Sequence, residues 1–116
     1  MMADAAAAGY QVVTTAEQLR QVKSGPVLGI FADDGMTTFD PEPMLDEMSR
    51  TALDLLSDKG RDWFAPEPKF FLMIEGGKID WACHVNDAGA AVREVIAFDR
   101  AVAVAHRFAL EHPGHT

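Results

Sequence analysis

Cysteine is almost missing from this chain of 116 residues, and the single thiol, Cys83, excludes an internal disulfide while leaving the redox compartment unread. Basic residues are scarce as well. With 10 of them against 18 acidic ones, the net charge of −8 repels nucleic-acid phosphates and anionic lipid headgroups over the chain as a whole, so neither nucleic acid nor membrane is expected as a partner. A small phosphorylated substrate stays compatible with that charge if metal ions invert the field locally. Long apolar runs are also lacking: VLGIFA and FFLMI fall far short of the ~20 residues that span a bilayer. The opening MMADAAAAG carries no positive n-region and no long apolar core, so no secretory signal is expected in this chain. No internal repeat occurs, and Gly76, Gly77 and Lys78 lack the GxxxxGK spacing of a phosphate loop.

Apolar residues make up 48% of the chain, enough for one domain with a core of ordinary size for this length. Residues 10–13 read as a short strand, and Thr14 with Glu17 matches a capping box that opens a helix running to about Lys23. Ser24, Gly25 and Pro26 end it. Residues 27–31 are a compact apolar run bounded by turn signals, which suits a strand covered on both faces. The following DDGMTTFDPEP reads as a loop, and loops at that end of a strand line sites in open α/β sheets. Met44, Leu45, Met48, Ala52, Leu55 and Leu56 form one stripe of a helix over residues 44–56. Residues 58–68 are a connection in which Trp63 and Phe64 are expected to cover the core. Residues 69–74 form a third strand, and a long helix runs from Asn86 or Asp87 to Glu111 with Val92, Val95, Ile96, Val102 and Ala103 on its buried face. Strand, helix, strand, helix, strand, helix is the order of an α/β layer: a parallel sheet of about three strands with crossover helices.

The stretch FFLMIEGGKIDWACH, residues 70–84, concentrates the chemistry. Glu75 stops an apolar run, Gly76 and Gly77 are expected to let the backbone turn sharply, and Asp80 and His84 stand four residues apart, which on a helix is one face. Taken alone, that pair reads either as a capping acid with a partly exposed imidazole or as two metal ligands. Cys83 points off the shared face and reads as a bystander. His106, His112 and His115 read as helix-end histidines or as a second cluster, with the first reading the commoner one. Asp99, in line with the apolar stripe, reads as a buried structural acid or a supporting group. Asp33, Asp34, Asp40 and Glu42 have no EF-hand spacing and read as a solvated loop.

The run FLMIEGGKIDWACHVNDAGAAVREVIAFDRAV resembles the alkaline phosphatase family, in which a strand ends in Glu-Gly and is followed by Ile-Asp, a His four residues on, and a helix containing Phe-Asp. The resemblance extends through GYQVVTT, GPVLGIFADD and PMLDEMSRTALDLLS, so residues 1–116 resemble the middle of an alkaline phosphatase domain, part of a larger α/β/α sandwich. It implies that Glu75 is a magnesium ligand and that Asp80 and His84 are ligands of the zinc that holds the phosphate. Hard carboxylate oxygen suits magnesium, and imidazole with carboxylate suits a catalytic zinc. Trp81 occupies a position where members of the family differ.

The resemblance further implies a phosphomonoester hydrolase acting through a phosphoserine, with zinc and magnesium as cofactors and a periplasmic or secreted location in most of the family. Several of its parts have no counterpart here: the Asp-Ser-Ala type nucleophile motif, the early metal-binding aspartate, the Thr-Ala-Asp-His strand, the last zinc histidine and the phosphate-binding arginine. Ser24, Ser49 and Ser57 lie in other contexts. The chain is therefore expected to be a truncated fragment, inactive alone, that self-associates or meets a complementing chain. The alternative is a small non-catalytic α/β fragment with at most weak divalent-metal binding or an interaction role.

Overall fold

A computed structural model of the chain describes residues 1–36, 43–57 and 69–113. After a short N-terminal helix, α1 (Met2–Ala7), the strand β1 (Gln11–Val13) leads into the helix α2 (Ala16–Gln21) and returns as β2 (Val27–Gly29). The two strands run parallel in the register Gln11↔Val27, Val12↔Leu28 and Val13↔Gly29, with α2 as their crossover. The cap of α2 sits one residue later than the sequence pattern suggests. Thr15 accepts from the Gln18 amide at 3.2 Å, and the Gln18 side chain accepts from the Thr14 amide at 2.7 Å, while Glu17 turns along the helix to Gln21. Gln18 thus supplies the reciprocal acceptor that Glu17 was expected to provide.

Val13, Leu19 and Val22 form the buried centre of this unit, and Val27, Phe31, Met48 and Leu55 pack against it. The last two come from α3 (Leu45–Leu56), which starts after the buried Pro43 and carries Asp46 and Glu47 in its first turn, where they favour the positive end of the helix dipole. A bidentate pair, Arg20 Nε to Glu47 Oε1 at 2.6 Å and Nη2 to Oε2 at 3.3 Å, fixes the orientation of α2 on α3.

The fold class is α/β, as the sequence order indicates, but the ladder among the described residues holds two strands. Residues 69–74, expected as a third, run extended without joining it. Their side chains alternate as a pleat requires: Leu72 and Ile74 are half-buried, whereas Phe71 and Met73 are 90% and 73% exposed. Strand propensity marks the segment, but among the described residues no backbone pairs with it in the ladder. The connection at residues 58–68, including Trp63 and Phe64, lies outside the described residues.

Beyond the extended segment come α4 (Lys78–His84) and α5 (Ala88–Glu111). α5 packs most extensively on α3 and next on α4. The face it uses is not the expected one. Ala101 is fully buried and Ala97, Phe98, Val104 and Phe108 are partly so, while Val92, Val95, Ile96, Val102 and Ala103 point outward. The packed side is rich in alanine, which lets α5 approach its neighbours closely; of the β-branched residues named here only Val104 lies on it, and Val92, Val95, Ile96 and Val102 are left on the far side. The molecule measures 52 × 37 × 20 Å with a radius of gyration of 15.9 Å, more open than the roughly 13 Å of a compact chain this long. Among the described residues, no helix is long and apolar enough to cross a membrane.

The assignment of faces on α5 is testable. Ala101→Leu should cost about 1–3 kcal/mol through overpacking, whereas Val95→Ala should stay within about 0.5 kcal/mol. Denaturant melts of the two variants giving equal losses would reverse the assignment.

Candidate functional site

Glu75 ends the extended segment, and Gly76 and Gly77 carry the chain into α4, whose first turn closes with the Ile79 amide donating to Gly76 O at 3.0 Å. The glycines do not serve as a left-handed turn: the glycines with positive φ among the described residues are Gly9 and Gly25. Gly76 sits at a crowded position instead. A Cβ there would lie 3.0 Å from the Ile79 side chain and 3.1 Å from the Phe98 ring, so the backbone is pressed against α5.

α4 is anchored by the buried Ala82 and presents Asp80 and His84 on its outer face. Their side chains are 73% and 78% exposed, and His84 Nε2 stands 3.4 Å from Asp80 Oδ2. The i, i+4 spacing therefore gives the shared face that the sequence implies. The helix then closes in a Schellman turn. The Asp87 amide donates to Ala82 O at 2.9 Å and the Asn86 amide to Cys83 O at 3.0 Å, with Asn86 in the left-handed region at φ 55°. Asp87 immediately caps the next helix, its Oδ1 accepting from the Ala90 amide at 2.8 Å.

A cavity of about 380 Å³ opens beside this turn, lined by Met36, Met44, Met48, Glu75, Trp81 and Phe98 among others. Lys78 also reaches it, with Nζ 4.6 Å from the centre of the Trp81 ring, a cation–π contact one turn along α4. Glu94 of α5 lines the cavity too, and sequence reasoning missed it. The available signal was the alanine spacing of α5 at Ala90, Ala97, Ala101 and Ala105, which marks the packed side on which Glu94 lies.

The three expected ligands are thus divided. Asp80 and His84 come together on α4, whereas Glu75 lines the cavity, which neither of them does. Carboxylate oxygen with imidazole nitrogen is a donor set that fits zinc, and an exposed pair leaves room for further ligands. Among the described residues, however, no group of three or more His, Cys, Asp or Glu side chains is placed to hold a metal ion.

The remaining expected features resolve individually. Cys83 is an exposed free thiol. His112 is a helix-end residue, its Nδ1 2.8 Å from Phe108 O and its ring stacked on Phe108 at 4.1 Å. His106 is exposed on α5, and His115 lies outside the described residues. Asp99 is exposed, not buried, because the helix face that carries it is the outer one. Asp33 and Asp34 are exposed, while Asp40 and Glu42 fall outside the described residues. Ser49 and Ser57 donate to carbonyls of their own helix, Leu45 O and Leu53 O, each at 2.6 Å.

Comparison with known proteins gives a consistent answer. Residues 1–116 match the family model described as alkaline phosphatase. Alkaline phosphatase 4 of Bacillus subtilis (strain 168) is 41% identical over 106 residues, covering 88% of this chain and 22% of its own length. Streptomycin-6-phosphate phosphatase of Streptomyces griseus is 38% identical over 134 residues, covering 94% of this chain and 30% of its own. A crystal structure of the cold-active alkaline phosphatase from a psychrophilic Shewanella sp. superposes with a TM-score of 0.82 at 33% identity, over 96% of this chain and 27% of that one. The chain thus spans between about a fifth and a third of the length of these relatives.

The closing turn of α4 can be probed directly. Asn86→Gly should be tolerated within about 0.5 kcal/mol, because glycine accepts the positive φ. Asn86→Val should destabilise by about 1–3 kcal/mol. Thermal melts showing no difference between the two variants would remove the turn as a determinant of the α4–α5 geometry.

Proposed function

The chain belongs to the alkaline phosphatase family, and from that premise we propose that it supplies part of the metal site of a zinc- and magnesium-dependent phosphomonoester hydrolase. Asp80 and His84 are its zinc ligands and Glu75 its magnesium ligand. The observation that carries this reading is the Asp80–His84 pair, two donors of the right chemistry 3.4 Å apart on one exposed helix face. Zinc bound there supplies Lewis acidity toward a phosphoryl oxygen. The chain's own part is to hold Asp80 and His84 on one face of α4 and to keep Glu75 beside the cavity through the close packing of Gly76 on Phe98.

Residues 1–116 act in this reading as a single α/β unit, and the substrate of the complete site is a phosphate monoester. The name of the Streptomyces relative, a phosphatase for a phosphorylated streptomycin, supports that substrate class. By itself the chain does not turn a phosphate ester over. Its serines stand away from the pair in sequence, two of them are bonded within α3 and its C-cap, and two protein ligands fall short of a catalytic zinc's usual three. That shortfall favours one other reading, a non-catalytic α/β unit with weak divalent-metal binding.

Titration of the full chain with zinc, followed by calorimetry, separates these readings. One zinc per chain is expected, with affinity reduced about tenfold or more, roughly 1.4 kcal/mol or more, in both Asp80→Ala and His84→Ala. Both side chains are exposed, so the variants should melt as the parent does. Equal binding by the parent and both variants would refute the ligand assignment. Hydrolysis of a chromogenic phosphate monoester above the Asp80→Ala control would refute the expected inactivity.

A further inference from the structure

The loop that leaves β2 holds the only Asp-Gly pair of the chain, Asp34 and Gly35. An aspartyl carboxyl carbon can be attacked by the amide nitrogen of the following residue, closing a five-membered succinimide ring. The attack needs an amide not committed to a hydrogen bond, a backbone not held in a helix, and little bulk on the following residue, which glycine supplies by lacking a Cβ.

The structure sorts the described aspartates by these conditions. Asp4, Asp46, Asp54, Asp80 and Asp99 lie within helices, where the next amide points along the axis and away from the side chain. Asp87 is engaged, its Oδ1 accepting from the Ala90 amide at 2.8 Å. Asp33 is exposed outside a helix, but the side chain of Asp34 crowds the nitrogen that it would use. Asp34 alone among them meets every condition. It is exposed in a bend outside helix and strand, it makes no hydrogen bond or ion pair among the described residues, and the Gly35 amide donates to no acceptor among them.

Gly35 also connects this loop to α4. A Cβ there would lie 2.6 Å from the Trp81 ring and 3.0 Å from Lys78 Nζ, so the main chain is pressed against the side chains that wall the cavity. Lys78 Nζ in turn stands 4.6 Å from the centre of the Trp81 ring. A change in main-chain length just before Gly35 is therefore felt at Trp81.

We propose that Asp34 is a site of spontaneous isoaspartate formation in the folded chain, and that the conversion lifts Gly35 off Trp81 and Lys78. The Gly35 nitrogen bonds to Asp34 Cγ, the carboxyl group gives up its hydroxyl and the nitrogen its proton, and one water leaves. Water then adds to the imide. Cleavage at the former Asp34 main-chain carbonyl leaves the chain running through Cγ, one methylene longer, with a free α-carboxylate. Mass, oxidation state and formal charge are unchanged, and water is the only co-reactant. The α-carboxylate is the group that a carboxyl methyltransferase using S-adenosylmethionine would recognise. The proposal goes beyond the metal site and does not depend on it.

The test incubates the full chain for several weeks at physiological temperature and neutral pH. Isoaspartate is then located in the tryptic peptide of residues 24–50 by electron-transfer fragmentation and by enzymatic methylation. It should accumulate at Asp34, and Asp34→Glu should lose it, because a glutamate would have to close a six-membered ring; circular dichroism of that variant should stay that of the parent. In the converted fraction the Trp81 indole N–H cross-peak, assigned with Trp81→Phe, should move away from its position in the parent. Three results would overturn the proposal: no isoaspartate at Asp34 after a free peptide of residues 31–36 has converted under the same conditions, isoaspartate spread equally over the helical aspartates, or a converted chain whose Trp81 cross-peak coincides with that of the parent.

Discussion

The joint at Asn86 and Asp87 is the constraint on which the geometry of the site rests. One helix must end and another begin within three residues, and both ends leave backbone groups that need partners. The Schellman turn satisfies the last carbonyls of α4 through the Asn86 and Asp87 amides, and the Asp87 carboxylate satisfies an amide at the start of α5. Asn86 pays the conformational cost with a residue type that tolerates positive φ. The direction of α4 relative to α5 is thereby set locally. α5 in turn is the element on which α3 and α4 pack, so the same two residues determine where the outer face of α4 looks.

From that frame the division of the candidate ligands follows. Asp80 and His84 sit on the side of α4 opposite its buried Ala82, which turns them to solvent as a pair. Glu75 precedes the helix, on a turn that Gly76 presses against Phe98, and belongs to the cavity side. α4 therefore holds Asp80 and His84 together on one face, apart from Glu75. The chain spans between about a fifth and a third of its relatives' length.

Much of this was legible in the sequence because the signals are local. The start of α5 at Asp87 and the shared face of Asp80 and His84 depend on spacings within a few residues, and the structure reproduces them. Of the stripe expected on α3, by contrast, Met44 and Leu56 are exposed, and the buried positions are Ser49 and Leu53. What was misread depended on neighbours. Periodicity identifies which residues of α5 are apolar, but not which of two apolar sides is covered; the β-branched stripe looked like core, yet the alanines proved to be the packed side. The extended run before Glu75 has strand character in every residue, but a ladder needs a partner, and the ladder holds β1 and β2 alone among the described residues. The cap of α2 was displaced by one position because Thr14 and Thr15 are equivalent in type, and only the reach of Gln18 decides between them.

The cavity beside Glu75 has walls of unequal stiffness. One wall is built from a glycine turn, the Trp81 ring and Phe98, groups with few rotatable bonds held by close packing. Met36, Met44 and Met48, which also line it, are unbranched thioethers that exchange rotamers easily and fill irregular space. Changes in the shape of whatever occupies this space are therefore absorbed by the methionines, as in a vice with one fixed and one padded jaw, and Glu75 keeps its position on the fixed side.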